Sequence, residues 1–131
     1  MTTTRETINA TAAPAAVGPY VHAVKAGGLL FCSGQIPLDP ASGEIVGDTA
    51  AAQATQCLKN LAAVVEAAGA SLADAVKLTV YMTDLGEFAA VNEVYAEALR
   101  GCDPPARVAV EVSALPRGAQ VEIDAIVALG A

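Results

Sequence analysis

Arg107 and Glu122 are two charged residues inside apolar segments. Their side chains could bind a small carboxylate and activate a water molecule beside it. Arg107 precedes the valines of "RVAVEV", and Glu122 lies within "VEIDAIV". A guanidinium can grip a carboxylate through two parallel hydrogen bonds, which a lysine cannot imitate. A glutamate can orient and activate a water molecule. The competing interpretation is that both are solvated strand residues without a function.

Strand alternation predicts that Arg107 and Glu122 share one face of a sheet. If the apolar residues of both segments face the core, the two segments pair with Val112 opposite Val121. That core set includes Val108, Val110 and Val112. In this register Arg107 lies about 13 Å from Glu122 at ~3.3 Å per residue. A bulge or a second subunit is then needed to bring both to one ligand.

Asn92 and Tyr20 are further candidates for contact with a ligand. Asn92 lies between Phe88 and Tyr95 in helical projection, where its amide must hydrogen-bond either the backbone or a ligand. Tyr20 follows Gly18-Pro19, and a core aromatic with a wet hydroxyl is the favoured interpretation for it.

Metal, nucleotide and nucleophilic chemistry find little support in the sequence. His22 is the only histidine, which excludes a zinc site made of several histidines. A serine or cysteine nucleophile would have to combine His22 with Ser33 or Cys32, and a histidine on a surface strand without such a role is favoured. Glu122 and Asp124 alone are weak evidence for a metal, and no phosphate-binding glycine motif occurs.

Composition places the chain among single-domain proteins that associate with copies of themselves. Its 131 residues fit one domain, 1–131, and 54% of them are hydrophobic although no apolar run is long enough to span a bilayer. The apolar excess predicts an obligate homo-oligomer. Because no apolar run is long enough to span a bilayer, a membrane is not an expected partner. The net charge of -7 would repel a phosphate backbone, so nucleic acid is not an expected partner. Three cysteines without a CxxC pair and the lack of a secretory signal indicate the cytoplasm.

Local signals predict an α+β fold of order β-β-α-β-α-β-β, with both helices on one face of a mixed sheet. The open face is then free for a ligand or a subunit. The predicted elements are a strand near residues 5–8, a hairpin over 20–34 closed by Gly27-Gly28, a helix over 48–68, a strand over 75–83, a helix over 84–99, and two final strands joined by residues 116–118.

Five segments in this order resemble the Rid proteins, the reactive intermediate deaminases once called YjgF-like. They are "GPYVHAV", "CSGQIPLDPASGEIV", the stretch from Asn60 to Leu99, "PPARVAVEV" and "LPRGAQVEIDAIV". The resemblance covers nearly the whole chain. It implies a chorismate-mutase-like homotrimer with ligand sites between subunits, which hydrolyses 2-imino acids and their enamine tautomers without a cofactor or metal. The products are 2-keto acids and ammonia.

The resemblance also assigns roles to single residues. Arg107 matches the arginine that binds the substrate carboxylate, and Glu122 matches the acid that positions the hydrolytic water. The matched residues that line the cleft are Tyr20, Ser33, Gly34 and Asn92. The chain departs from the family where a cysteine is common, at Ala109, and where Gln is usual, at His22. Cys32 stands where Thr or Val is frequent.

Three functions remain open from the sequence. Imine hydrolysis of compounds such as 2-aminoacrylate, 2-iminobutanoate and 2-iminopropanoate is favoured, because binding alone does not require an acid near an anionic ligand. The alternative is a non-catalytic trimer that binds small carboxylates or acts as a chaperone. Ribonuclease activity, described for some relatives, is disfavoured by the acidic charge.

Overall fold

The computed structural model describes residues 4–130, which form a six-stranded mixed sheet with two α-helices on one face. The elements are β1 (Glu6–Ile8), β2 (Ala23–Ala26), β3 (Leu29–Gln35), α1 (Ala50–Ala67), β4 (Ala75–Met82), α2 (Phe88–Ala98), β5 (Ala106–Glu111) and β6 (Val121–Ala128). The spatial order is β1-β2-β3-β6-β4-β5, and only β4 and β5 run parallel. The predicted α+β class is confirmed. The strand predicted near residues 5–8 is present as β1 and pairs with β2 at the edge, so three strands precede α1 where the predicted order counted two.

The core lies between α1 and the middle of the sheet. Alternate residues of β6 are buried, and they pack against the apolar side of α1. The helix begins where the sequence predicts, because the Thr49 side chain accepts a hydrogen bond from the Ala52 amide at 3.1 Å. It ends before Gly69, whose φ of 80° is open to glycine at little cost. No helix within residues 4–130 is long and apolar enough to cross a membrane.

Two other local predictions are confirmed. Gly27 and Gly28 close the β2–β3 hairpin, and both have positive φ, 59° and 77°, as a tight hairpin turn requires. Asp84 starts the second helical segment, since its carboxylate accepts from the Gly86 amide at 2.8 Å. The first turn there is 3-10, over Leu85–Glu87, before α2.

The predicted pairing of the last two strands is wrong, because β4 lies between β5 and β6. On one side of β4, Leu78 is opposite Arg107, and on the other side Tyr81 is opposite Glu122. The helix α2 supplies the crossover that a parallel β4–β5 pair needs. Residues 116–118 therefore carry the chain past the end of β4 rather than closing a hairpin.

The predicted orientation of β5 is also wrong. Val108 and Val110 are 39% and 36% exposed, and they lie on the sheet face that no helix covers. Arg107 and Ala109 face α2 instead, in line with the buried Leu78 and Val80 of β4. Alternation alone could not decide this, because the open face of the edge strand is itself apolar. We call this uncovered side of the sheet the open face.

Candidate active site

Arg107 is held against α2 by an amide and two aromatic rings. Its Nη1 donates to Asn92 Oδ1 at 2.6 Å. Its guanidinium carbon lies 5.2 Å from the ring centre of Phe88 and 4.9 Å from that of Tyr95. Phe88, Asn92 and Tyr95 are spaced so that they lie on one face of α2 and surround the cation. We call these three residues the cradle.

The cradle leaves part of the guanidinium free. A guanidinium has five N–H donors, and within residues 4–130 only Asn92 accepts from Arg107. Tyr95 is buried, and its hydroxyl has no hydrogen-bond partner among the described residues. Burial raises the pKa of Tyr95, while Arg107 opposes that rise. A neutral phenol ring thus supports a cation whose remaining donors can grip a carboxylate.

Glu122 lies on the open face of β6 and packs directly on Gly34. A Cβ atom at position 34 would overlap Glu122 Oε2 and would lie 2.9 Å from its carboxyl carbon. The β3–β6 register shifts between Cys32 and Gln35, and Gly34 belongs to this irregular stretch. Glycine at position 34 therefore makes room for the carboxylate of Glu122.

The surroundings of Glu122 favour a base that works closer to neutral pH. Partial burial raises the pKa of Glu122, and the nearby Asp124 carboxylate raises it further. Asp124 itself accepts a hydrogen bond from the Tyr81 hydroxyl at 3.0 Å. A carboxylate tuned in this direction is better suited to accept a proton from water.

Ser33 and Tyr20 border the same region. The Ser33 hydroxyl donates to Val21 O at 2.7 Å, and its amide donates to His22 O at 2.9 Å, which fixes the approach of the chain after Tyr20. Tyr20 is 50% exposed, so the favoured core interpretation is wrong. A cavity of about 300 Å³ adjoins these residues; its lining includes Val17, Tyr20, Gly34, Ile36, Pro116 and Arg117. We call it the Gly34 cavity.

The structure divides the predicted site residues into two groups. Arg107 and Asn92 lie on the helix side of the sheet, whereas Glu122 and Gly34 lie on the open face. The predicted shared face is wrong, and a bulge would not join the groups, because β4 also separates their strands. Within one chain the two groups therefore lie on opposite faces of the sheet.

Backbone hydrogen bonds hold both ring nitrogens of His22, and burial disfavours the thiolate form of Cys32 and Cys57. The favoured surface-strand interpretation of His22 is wrong, because His22 is buried and lies just before β2. It accepts from the Ala10 amide through Nδ1 at 2.9 Å and donates to Pro14 O through Nε2 at 2.7 Å, so it braces the N-terminal segment. Burial and Asp124 raise the pKa of Cys32 to about 12, and burial raises that of Cys57. Within residues 4–130 no three His, Cys, Asp or Glu side chains are grouped to hold a metal ion.

Sequence reasoning missed the contacts that position the two charged residues. The sequence places Asn92 between Phe88 and Tyr95 in helical projection, and that spacing is the signal that could have revealed the cradle. The Gly34–Glu122 contact has no such signal, since it depends on an irregular register between strands far apart in sequence.

Comparison with known proteins agrees with this architecture. The family described as Endoribonuclease L-PSP matches residues 10–129. The chain is 53% identical over 124 residues to the RutC family protein y4sK of Sinorhizobium fredii, covering 95% of this chain and 98% of that protein. It is 45% identical over 126 residues to the 2-iminobutanoate/2-iminopropanoate deaminase of Mus musculus, covering 96% and 93%.

The same relationship extends to solved structures. The crystal structure of RidA from the Antarctic bacterium Psychrobacter sp. PAMC 21119 superposes with a TM-score of 0.90 at 47% identity, over 95% of this chain and 99% of that one. Sequence and fold therefore agree over almost the whole length. The chain belongs to the Endoribonuclease L-PSP family, which includes the Rid proteins that its motifs resemble.

Proposed function

We propose that this protein hydrolyses reactive 2-imino acids and their enamine tautomers to 2-keto acids and ammonia, in sites formed between the subunits of a homotrimer. The observation that carries the proposal is the division of the site into two halves on opposite faces of one sheet. Relatives at 43–47% identity are named 2-iminobutanoate/2-iminopropanoate deaminase. We expect the preferred partners to be small 2-imino and 2-keto carboxylates.

Arg107 binds and orients the substrate in this proposal. Its free N–H donors receive the carboxylate as a fork, while Asn92 and the rings of Phe88 and Tyr95 fix the guanidinium plane. A fixed guanidinium loses little freedom when the substrate binds, so the imine carbon is held in one position.

Glu122 of a neighbouring chain then directs the water. The water oxygen bonds to the imine carbon while its proton passes to the Glu122 carboxylate, and the imine nitrogen takes up a proton. In the tetrahedral adduct Glu122 gives its proton to the nitrogen, the C–N bond breaks with its electron pair going to nitrogen, and ammonia leaves. The remaining hydroxyl becomes the keto group as its proton passes to solvent, which supplied the proton taken up by the imine. The raised pKa of Glu122 suits both the uptake and the return of a proton.

Freshly generated 2-iminobutanoate tests the proposal. The imine is formed by an amino-acid oxidase with catalase, and semicarbazide competes for it, so hydrolysis lowers the semicarbazone yield. We expect Arg107→Ala to lower kcat/KM by roughly 30-fold to 1,000-fold or more, because truncating one partner of a buried charge pair costs about 2 to 5 kcal/mol. Arg107→Lys keeps the charge but loses the fork, and we expect it to restore only part of the rate.

Arg100→Gln is the matched control, since Arg100 pairs with Glu97 on the exposed surface. A wild-type rate equal to the spontaneous rate would defeat the proposal. If 2-ketobutyrate still binds in calorimetry while no imine is turned over, the non-catalytic binding function is favoured instead. Cleavage of RNA that disappears in Glu122→Gln would favour ribonuclease activity, against which the net charge of -7 argues.

A further inference from the structure

Arg117 stands out in the loop between β5 and β6. Within residues 4–130 it is the only residue other than glycine with a positive φ, at φ 61° and ψ 18°. Side chains with a Cβ rarely adopt this left-handed conformation, and Gly or Asn usually occupies it. Strained residues of this kind cluster at ligand sites, which makes Arg117 a candidate ligand-binding residue.

The Arg117 side chain is anchored but not neutralised. Its Nη2 donates to Gly43 O at 3.2 Å, which ties the 116–118 turn to the loop that precedes α1. Within residues 4–130 no carboxylate lies within 4.0 Å of its guanidinium. The other N–H donors of this cation are thus open to an anion.

Arg117 lines the Gly34 cavity together with apolar residues. Val17, Ile36, Leu38 and Pro116 form much of the wall, and Arg117 is its one Lys or Arg side chain. Gly34, which lines this cavity, also lies against the Glu122 carboxylate. A substrate placed beside Glu122 would therefore extend its side chain along an apolar wall toward a cation.

We propose that Arg117 is a specificity-determining residue that binds a second carboxylate, so that the site accepts 2-imino dicarboxylic acids. The inference rests on the proposed function: Arg107 of one chain takes the carboxylate next to the imine, and Arg117 takes the one at the far end. A charge-assisted hydrogen bond in a partly apolar cavity is stronger than one in open water.

The test compares 2-iminoglutarate with 2-iminobutanoate, each generated by an amino-acid oxidase with catalase and trapped in competition by semicarbazide. In Arg117→Gln we expect the ratio of kcat/KM for the dicarboxylic imine to that for the monocarboxylic imine to fall about tenfold. Arg117→Asn suits the left-handed backbone, and it should give the same fall without a loss of stability. Arg100→Gln, outside the cavity, should leave the ratio unchanged.

Calorimetry separates this inference from the proposed function. If the wild-type chain hydrolyses neither imine but binds 2-oxoglutarate about tenfold more tightly than Arg117→Gln does, the specificity inference stands and the proposed reaction fails. If 2-iminobutanoate is hydrolysed while both Arg117 variants keep the wild-type ratio, the reaction stands and the inference is overturned. A wild-type chain that neither binds 2-oxoglutarate nor turns over its imine also overturns it.

Discussion

The surroundings of Glu122 disfavour the ionised form of its carboxyl group. Burial comes first and the Asp124 carboxylate second in raising its pKa. A carboxyl whose pKa is raised on folding lowers the stability of the fold as pH increases above its unfolded value, about 4.3. That cost is absent at lower pH, where the group is protonated in both states. The raised pKa thus makes Glu122 a better base for the proposed reaction and lowers the free energy of unfolding at higher pH.

Glu122→Gln should separate the role of Glu122 as a base from its effect on the stability of the fold. We expect kcat to fall by roughly 10²-fold to 10⁴-fold, the usual contribution of a positioned base. The wild-type rate should also decline as pH falls through the raised pKa of Glu122. The Gln variant should unfold at higher urea than the wild type at pH 7, with the difference vanishing near pH 4.

Rates from pH 4.5 to 8 and urea unfolding at pH 4 and 7 provide the measurements. Glu66→Gln, on the exposed side of α1, is the control and should alter neither. A Gln variant with the wild-type rate would contradict the role of Glu122 as a base. A Gln variant less stable than the wild type at pH 7 would contradict the stability cost of its raised pKa.

At the scale of elements, the irregular end of β3 governs where the Glu122 carboxylate lies. Gly34 is not among the glycines with positive φ, so its backbone can accept alanine. The added Cβ would, however, overlap Glu122 Oε2. We expect Gly34→Ala to fold and to lose up to about 10²-fold in kcat/KM, since a shift of about 1 Å in a positioned group can cost that much.

Gly130→Ala is the matched control, because a Cβ at that position meets nothing within 4 Å. Imine hydrolysis and thermal unfolding are measured on both variants. Unchanged kcat/KM in a folded Gly34→Ala would show that the Glu122 carboxylate does not need this contact.

The elements also show what a sequence can predict. The helices and the β2–β3 hairpin follow from local signals such as the Thr49 cap and Gly27-Gly28. The place of β5 does not, because its pairing joins segments on either side of α2 and its valines lie exposed on the open face, where alternation predicts a core. Arg107 and Glu122 therefore stand out in the sequence one by one as charged residues within apolar segments, while their placement on opposite faces cannot be predicted from it.

The whole molecule exposes apolar side chains over the open face. Phe31, Val108 and Val110 are 44%, 39% and 36% exposed, on strands β3 and β5. In the proposed homotrimer this face is buried between chains. We expect Val110→Asp to yield monomers, because a carboxylate buried without a partner is costly. Those monomers should lack imine hydrolysis.

Light scattering and the semicarbazide assay, run on the same sample, measure both properties. Val46→Asp is the control, since Val46 is 37% exposed but lies in the loop before α1. A monomeric variant that keeps the wild-type rate would contradict a site shared between chains. A wild-type chain that is itself monomeric would contradict the assembly.

The separation of Arg107 from Glu122 across one sheet also has a genetic meaning. In the proposed assembly, each site takes its arginine from one gene product and its glutamate from another copy. Two alleles that are each inactive, one without Arg107 and one without Glu122, would then complement each other in the same cell. Mixed assemblies contain some sites in which both intact halves meet.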